Sequence, residues 1–103
     1  MISAVENRHK ADLGEQDPRK ADLLRFMRSR EPSAIAEGFV EDYATGRYVM
    51  GKVECAYEVG DLWWNNSDIY NLEHHDVHLN PEFRSRALAI IDGESPSTDA
   101  ARE

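Results

Sequence analysis

Three stretches of the chain place apolar residues at the spacing of an α-helix. The first, residues 17–30, opens with Asp17-Pro18, which suits a helix start because Asp caps free N–H groups and Pro needs none. The second, residues 33–45, ends before Gly46, and the third, residues 81–92, follows Asn80-Pro81. The apolar positions of these stretches are Leu23, Leu24 and Met27; Ile35, Phe39, Val40 and Tyr43; and Phe83, Ala87, Ile90 and Ile91. The pattern therefore predicts three helices.

Residues 47–64 fit two different patterns. As a strand, the segment alternates apolar with polar or small residues, the apolar ones being Val53, Cys55, Tyr57 and Val59. Gly60-Asp61 would then turn the chain into Leu62-Trp63-Trp64. As a helix, the segment would contain Gly51, which costs about 1 kcal/mol relative to Ala. Because β-branched and aromatic residues favour strands, we predict a short antiparallel hairpin.

These elements predict an α+β fold, a small single domain of about three helices packed on a short antiparallel hairpin. An all-α helical bundle is the alternative if residues 47–64 are helical. Residues 1–16 are predicted to form a flexible N-terminal arm, 17–93 the globular domain and 94–103 a disordered tail. Asn65-Asn66-Ser67-Asp68 is typical of a loop, whereas residues 69–79 favour neither pattern.

Composition points to the compartment. The chain has 103 residues and a single cysteine, so Cys55 cannot form an internal disulfide and no oxidising compartment is needed. No apolar run approaches the roughly 20 residues of a membrane span, and the first residues lack the apolar stretch of a signal peptide. We therefore expect a cytoplasmic protein without a membrane partner.

The net charge of −8 is unevenly distributed along the chain. Residues 31–82 carry eleven acidic and two basic residues, whereas residues 8–30 carry seven basic and four acidic ones. An acidic body repels nucleic acid and attracts basic protein surfaces, although the same charge also serves solubility. The candidate partner-binding residues are Glu37, Glu41, Asp42, Glu54, Glu58, Asp61, Trp63 and Trp64.

The two adjacent tryptophans are the candidate apolar anchors of that surface. Successive residues of a strand point to opposite faces, so one of Trp63 and Trp64 is expected to pack inward and the other to lie on the surface. Exposed Trp is enriched at interface hot spots. The alternative is that both belong to the core, because the chain has few large apolar residues.

The segment from Glu73 to His78 contains three histidines and an aspartate. On a strand, His74, Asp76 and His78 would share one face and offer ligands to Zn²⁺. The spacing matches no strong zinc signature, and Cys55 is the only thiol. We expect a solvent-exposed segment and no cofactor, with these three residues as the metal-ligand candidates.

Two other classes of function are not expected. The first predicted helix is basic and a short turn joins it to the second, as in a helix-turn-helix, but the second helix has no Asn, Gln, Arg or Lys to read bases. Direct nucleic-acid binding is therefore not expected. Neither is catalysis, because the sequence has no Gly-rich phosphate loop and no nucleophile elbow.

The sequence favours a small acidic protein-binding module. Its size and charge suggest an inhibitor that docks on the basic surface of a nucleic-acid-binding protein, of the type that phages and other mobile elements encode. One alternative is a metal-binding small enzyme or sensor that uses His74, Asp76 and His78. Another is a homodimeric structural module.

Overall fold

The computed structural model describes residues 1–94, which form an α+β domain. Its strands are β1 (Ile2–Ser3), β2 (Ala34–Asp42), β3 (Arg47–Val59) and β4 (Leu62–Asn65). Its helices are α1 (Lys20–Arg28), α2 (Asn66–His75) and α3 (Pro81–Glu94), and a short 3₁₀ turn covers Arg8–Lys10. The strands form one mixed sheet in the order β1-β4-β3-β2, in which only β1 and β4 are parallel. The predicted α+β class is confirmed, and the all-α alternative is wrong.

The predicted hairpin is present, but it is only part of this sheet. Val59 pairs with Leu62 and Tyr57 with Trp64, so Gly60 and Asp61 form a two-residue turn. Gly60 has a φ of 60°, which suits the first position of a type II′ turn because glycine adopts positive φ without a steric penalty. Strand β3 is 13 residues long and continues well beyond β4, so that it also pairs with β2.

Residues 33–45, predicted as a helix, instead form β2 and the turn into β3, so this prediction is wrong. The long β3 supplies a partner for the whole segment. The register shifts between the pairs Ile35–Cys55 and Phe39–Val53, and the irregularity contains Gly38 with a φ of 109°. That backbone conformation is incompatible with a helix interior, and it lets the bulged strand keep its pairing.

The predicted loop at residues 65–68 is also wrong, because helix α2 begins there. Asn65 is the N-cap, and its side chain accepts a hydrogen bond from the Asp68 backbone N–H at 2.8 Å. The Asp68 carboxylate in turn accepts from the Asn65 N–H at 3.3 Å, which completes a capping box. The helix ends at Asp76, which has a left-handed φ of 52°.

The first and third predicted helices are confirmed with shifted ends. Helix α1 begins at Lys20, after a turn in which the Asp17 side chain accepts from the Arg19 N–H at 2.8 Å. Helix α3 begins at Pro81 and continues through Gly93 to Glu94. Glu94 was predicted to begin a disordered tail, and the other residues of that predicted tail, 95–103, lie outside the described residues.

The first residues of the chain join the sheet. The backbone N–H of Ile2 donates to Asp61 O at 2.6 Å, and that of Ala4 donates to Trp63 O at 3.0 Å. Ala4 and Val5 are buried, so the segment for which the sequence predicts a flexible arm contributes a strand and two core residues.

The core lies between the three helices and strands β1, β3 and β4. Trp64 is fully buried, and the rings of Phe26, Tyr57 and Phe83 lie 5.4–5.7 Å from its own. Its indole N–H donates to Met27 O at 3.2 Å. The core residues are Ala4, Val5, Leu23, Leu24, Phe26, Met27, Tyr57, Leu62, Trp64, Ile69, Leu72, Val77, Leu79, Phe83 and Ala87.

Candidate functional site

The two candidate tryptophan anchors have different environments. Trp64 belongs to the core and offers no anchor on the surface. Trp63, on the opposite face of β4, is half-buried, and the Arg8 guanidinium carbon lies 4.8 Å from the centre of its ring. This cation–π contact occupies part of the ring. The two tryptophans lie on opposite faces of β4, and neither is a freely exposed side chain.

Several of the candidate acidic residues bind neighbours within the domain. Asp42 Oδ2 lies 2.9 Å from His75 Nε2 and accepts from the Tyr70 hydroxyl at 3.2 Å. The Glu54 carboxylate accepts from both the hydroxyl and the backbone N–H of Ser67. Asp42 and Glu54 therefore make hydrogen bonds within the domain that stabilise its fold.

Asp61 and Glu58 lie closer to solvent than Asp42 and Glu54. Asp61 pairs with Arg86 at 2.8 Å, and both side chains are about half exposed, so this pair contributes little to stability. Glu58 is exposed on β3, Glu41 is half-buried on β2, and Glu37 also lies on β2. The candidate acids are thus spread over two strands and a turn rather than on the face of one helix.

Ion pairs within the domain join bases of the N-terminal part of the chain to acids of its central part. Arg8 pairs with Asp68 at 2.6 Å, and Lys20 pairs with Asp76 at 2.7 Å. Arg28 pairs with Glu73. The basic N-terminal part of the chain thus neutralises acids of the central part locally. The net charge of −8 is unchanged by this pairing, because each pair removes one charge of each sign.

A buried carboxylate connects three parts of the fold. Asp68 has no exposed surface and accepts from Arg8 Nε at 3.0 Å, Arg8 Nη2 at 2.6 Å and the Tyr43 hydroxyl at 2.8 Å. Burial and the adjacent Asp68 carboxylate raise the pKa of Tyr43, so the phenol keeps its proton and remains a donor. With all its partners present, the cluster is a structural clamp between the N-terminal segment, the β2–β3 turn and α2.

Two side chains of α2 hold the turn end of the β2–β3 hairpin. Asn71 donates to Glu41 O at 2.8 Å and accepts from the Tyr43 N–H at 2.8 Å. The Ser67 hydroxyl oxygen accepts from the Glu41 N–H at 2.9 Å. Ser67 and Asn71 are both buried, so the hairpin is held in a fixed orientation by hydrogen bonds that are shielded from water.

Sequence reasoning missed the most conspicuous surface of the domain. Five large apolar side chains on β2 and β3 are between 39% and 78% exposed, and we call them the hairpin patch: Ile35, Phe39, Tyr48, Met50 and Val53. The helical interpretation of residues 33–45 assigned Ile35 and Phe39 to the core. Once the segment is a strand at the edge of the sheet, these side chains lie beyond the helices. The signal that could have revealed the patch is Gly38, a residue that disfavours a helix interior.

The metal-ligand candidates are not brought together. His74 packs against the Tyr70 ring with centres 4.5 Å apart, Asp76 pairs with Lys20, and His78 is exposed. Within residues 1–94, no three His, Cys, Asp or Glu side chains converge as ligands for a metal ion. The His74, Asp76 and His78 side chains have separate partners or surroundings instead.

None of the helices in the described part of the chain has both the length and the apolar composition that crossing a bilayer requires. Comparison with known proteins finds no matching family model, no matching curated protein and no matching solved structure.

Proposed function

We propose that this chain is a small acidic protein-binding module that docks on a basic protein surface through the hairpin patch. The observation that carries the proposal is the exposure of five large apolar side chains on one hairpin. Apolar residues scattered singly over a surface need no explanation, whereas five on a single pair of strands mark a candidate interaction site. Tyr48 and Phe39 belong to the aromatic class that is enriched at interfaces.

The fixed turn end of the hairpin supports this proposal. Ser67 and Asn71 hold the backbone of Glu41 and Tyr43, and Asp68 holds the Tyr43 hydroxyl. A surface that is already ordered loses little conformational freedom when a partner binds. The hairpin patch therefore lies on two strands whose connecting turn is held in place by α2.

The charge of the chain supports a basic partner. A net charge of −8 attracts positive surfaces over long distances and accelerates their encounter, whether or not individual acids are paired. Glu58 on β3 and Glu31 just before β2 are exposed and remain free to contact a partner's Lys or Arg side chains. The basic groove of a nucleic-acid-binding protein is the kind of surface that this combination of size and charge would block.

Site-specific photo-crosslinking tests the proposal. A photoreactive phenylalanine derivative replaces Met50 in the hairpin patch or, as a matched control, Ser85, which is exposed on α3. After irradiation in a lysate of the source cells, we expect a discrete adduct with a basic protein at position 50 and none at position 85. The adduct is expected to weaken when Ile35 is changed to Glu, because a buried charge disrupts an apolar contact.

The salt dependence of crosslinking separates the alternatives. The yield at position 50 should fall between 0.1 M and 1 M salt, because the screening length shrinks from about 10 Å to about 3 Å. Equal labelling at positions 50 and 85, or no adduct at position 50, would contradict the proposal. An adduct of twice the mass of the chain would instead support the homodimer.

A further inference from the structure

A second feature of the surface is a cleft of about 370 Å³ at the junction of α1, α2, β2 and β3. One side is formed by a single face of α2, with Asn66, Ile69, Tyr70 and Glu73 at helical spacing. Its volume falls at the small end of the roughly 300–1,000 Å³ that is typical of small-molecule sites. Apart from Val53 at its edge, the cleft lies outside the hairpin patch.

The floor of the cleft is apolar and well ordered. Val40, Tyr57 and Ile69 line it and are all buried. The Tyr57 hydroxyl donates to Asn66 Oδ1 at 2.7 Å, and the Asn66 amide donates to Val53 O at 3.0 Å. These hydrogen bonds join α2 to β3 across the cleft, so that its walls are largely preformed.

The rim of the cleft is cationic, which is unusual on a chain with a net charge of −8. Arg28 and Lys52 line it beside the His74 ring, and Glu73 is the only acid among the lining residues that the structure describes. Residues 31–82 contain just two Lys or Arg residues, and Lys52 is one of them. Within the described part of the chain, no ion pair joins Lys52 to a carboxylate, and its side chain is exposed.

The position of Glu73 indicates how the rim holds a negatively charged group. Its Oε1 pairs with Arg28 Nη2 and lies 3.6 Å from His74 Nε2. A carboxylate oxygen is therefore already accommodated at the rim, paired with Arg28 and near the His74 ring. The Lys52 ammonium adds a positive charge that Glu73 does not neutralise, because two permanent cations face one carboxylate.

We infer that this cleft binds a small molecule that carries one carboxylate or phosphate group on a flat apolar body. The apolar part would lie on Val40, Tyr57 and Ile69, and the anionic group would lie at the rim beside Lys52 and Arg28. Tyr70, fixed by its hydrogen bond to Asp42, also lines the cleft and adds an aromatic side chain to it. This inference is independent of the proposed function, since it uses a different surface.

The test uses matched aromatic probes and amide chemical shifts. 2-Naphthoate and 2-naphthyl phosphate are titrated into ¹⁵N-labelled full-length protein, alongside the neutral 2-naphthamide and inorganic phosphate. We expect at least one of the two aromatic anions to shift the amides of α2 and of residues 52–57. The neutral amide and inorganic phosphate should each bind at least fivefold more weakly, because each lacks one of the two contacts.

A charge-matched pair of variants completes the test. Lys52→Gln should weaken binding of the effective anion about two- to fivefold, the range expected for one exposed charge pair. Arg47→Gln removes the same charge from an exposed position of β3 outside the cleft and should leave the affinity unchanged. Equal losses in both variants, equal binding of 2-naphthamide, or no shifts at the cleft with either anion would overturn the inference.

Discussion

The different environments of the two neighbouring tryptophans lead to a sharp prediction about stability. Changing Trp64 to Phe removes the indole N–H that donates to Met27 O, which costs about 1–3 kcal/mol if that carbonyl loses a buried partner. The smaller ring also leaves unfilled space at a fully buried position, which adds about 1 kcal/mol. We therefore expect Trp64→Phe to lower the free energy of unfolding by about 2–4 kcal/mol.

Trp63→Phe is the matched control, since it makes the same chemical change one residue away. Trp63 is half-buried, and the Arg8 guanidinium lies over its ring in a cation–π contact. A phenyl ring keeps part of that attraction, and the cation–π contact is worth only about 0.5–1 kcal/mol at such a site. The expected loss for Trp63→Phe is therefore below about 1 kcal/mol.

Urea unfolding followed by far-UV circular dichroism measures both variants, because tryptophan fluorescence would change with the substitution itself. For a domain with a denaturant slope of about 1 kcal/mol/M, a loss of 2 kcal/mol moves the midpoint by about 2 M. Equal losses in the two variants, or a loss below about 1 kcal/mol for Trp64→Phe, would refute the assignment of Trp64 to the centre of the core.

Three further predictions concern the buried Asp68 cluster, the loss of stability at low pH and helix α3. Asp68→Ala should cost about 3–5 kcal/mol in urea unfolding, because it leaves the Arg8 charge partly buried and unpaired, and the cost should shrink in an Arg8→Met background. The hydrogen bond from Arg84 lowers the pKa of Asp17, so that this carboxylate stabilises the fold above its ordinary pKa of about 4 and the stabilisation is lost as the pH falls through the lowered value. Arg84→Gln should therefore reduce the loss of stability that urea unfolding measures below about pH 4. At pH 7 the variant should lose about 0.5–1 kcal/mol of unfolding free energy, a small cost because Arg84 is one-third exposed. An unchanged pH dependence of stability below about pH 4 would contradict this prediction. Ile90 packs at the edge of the core and is only half-buried, so Ile90→Ala should cost about 1–2 kcal/mol in the same unfolding assay, and a loss above 3 kcal/mol would show that it belongs to the centre.

Local signals were enough to predict some elements. Asn80-Pro81 and the regular apolar spacing from Phe83 onward identify α3, because the cap and the stripe lie within one segment. Gly60-Asp61 identifies the turn between β3 and β4 for the same reason. In both cases the residues that determine the conformation are neighbours in sequence.

Other elements depend on partners that are distant in sequence. The spacing of Ile35, Phe39 and Tyr43 suits a helix, but β3 supplies a strand partner whose length the pattern could not reveal. Helix α2 carries buried polar residues, of which Asp68 is held by Arg8, 60 positions away. A polar residue looks exposed in the sequence until its distant partner is known, so the start of α2 resembled a loop.

Distance in sequence between interacting residues also limits how much of the candidate site can be predicted. The sequence indicates an acidic chain, but it cannot show which acids pair internally, as Asp76 does with Lys20. The hairpin patch became visible only when β2 was placed at the edge of the sheet. The cleft beside α2 combines residues of four elements, so no single segment carries its signal.

The parallel pairing of β1 with β4 has a consequence for the order of folding. Ile2 pairs with Leu62, so on a ribosome the first strand emerges long before its partner has been made. The β3–β4 hairpin closes locally within microseconds, whereas docking of β1 must also close the long intervening loop. Strand β1 therefore cannot pair before β4 has been synthesised, and until then Ile2 and Val5 lack the neighbours that cover them in the folded domain.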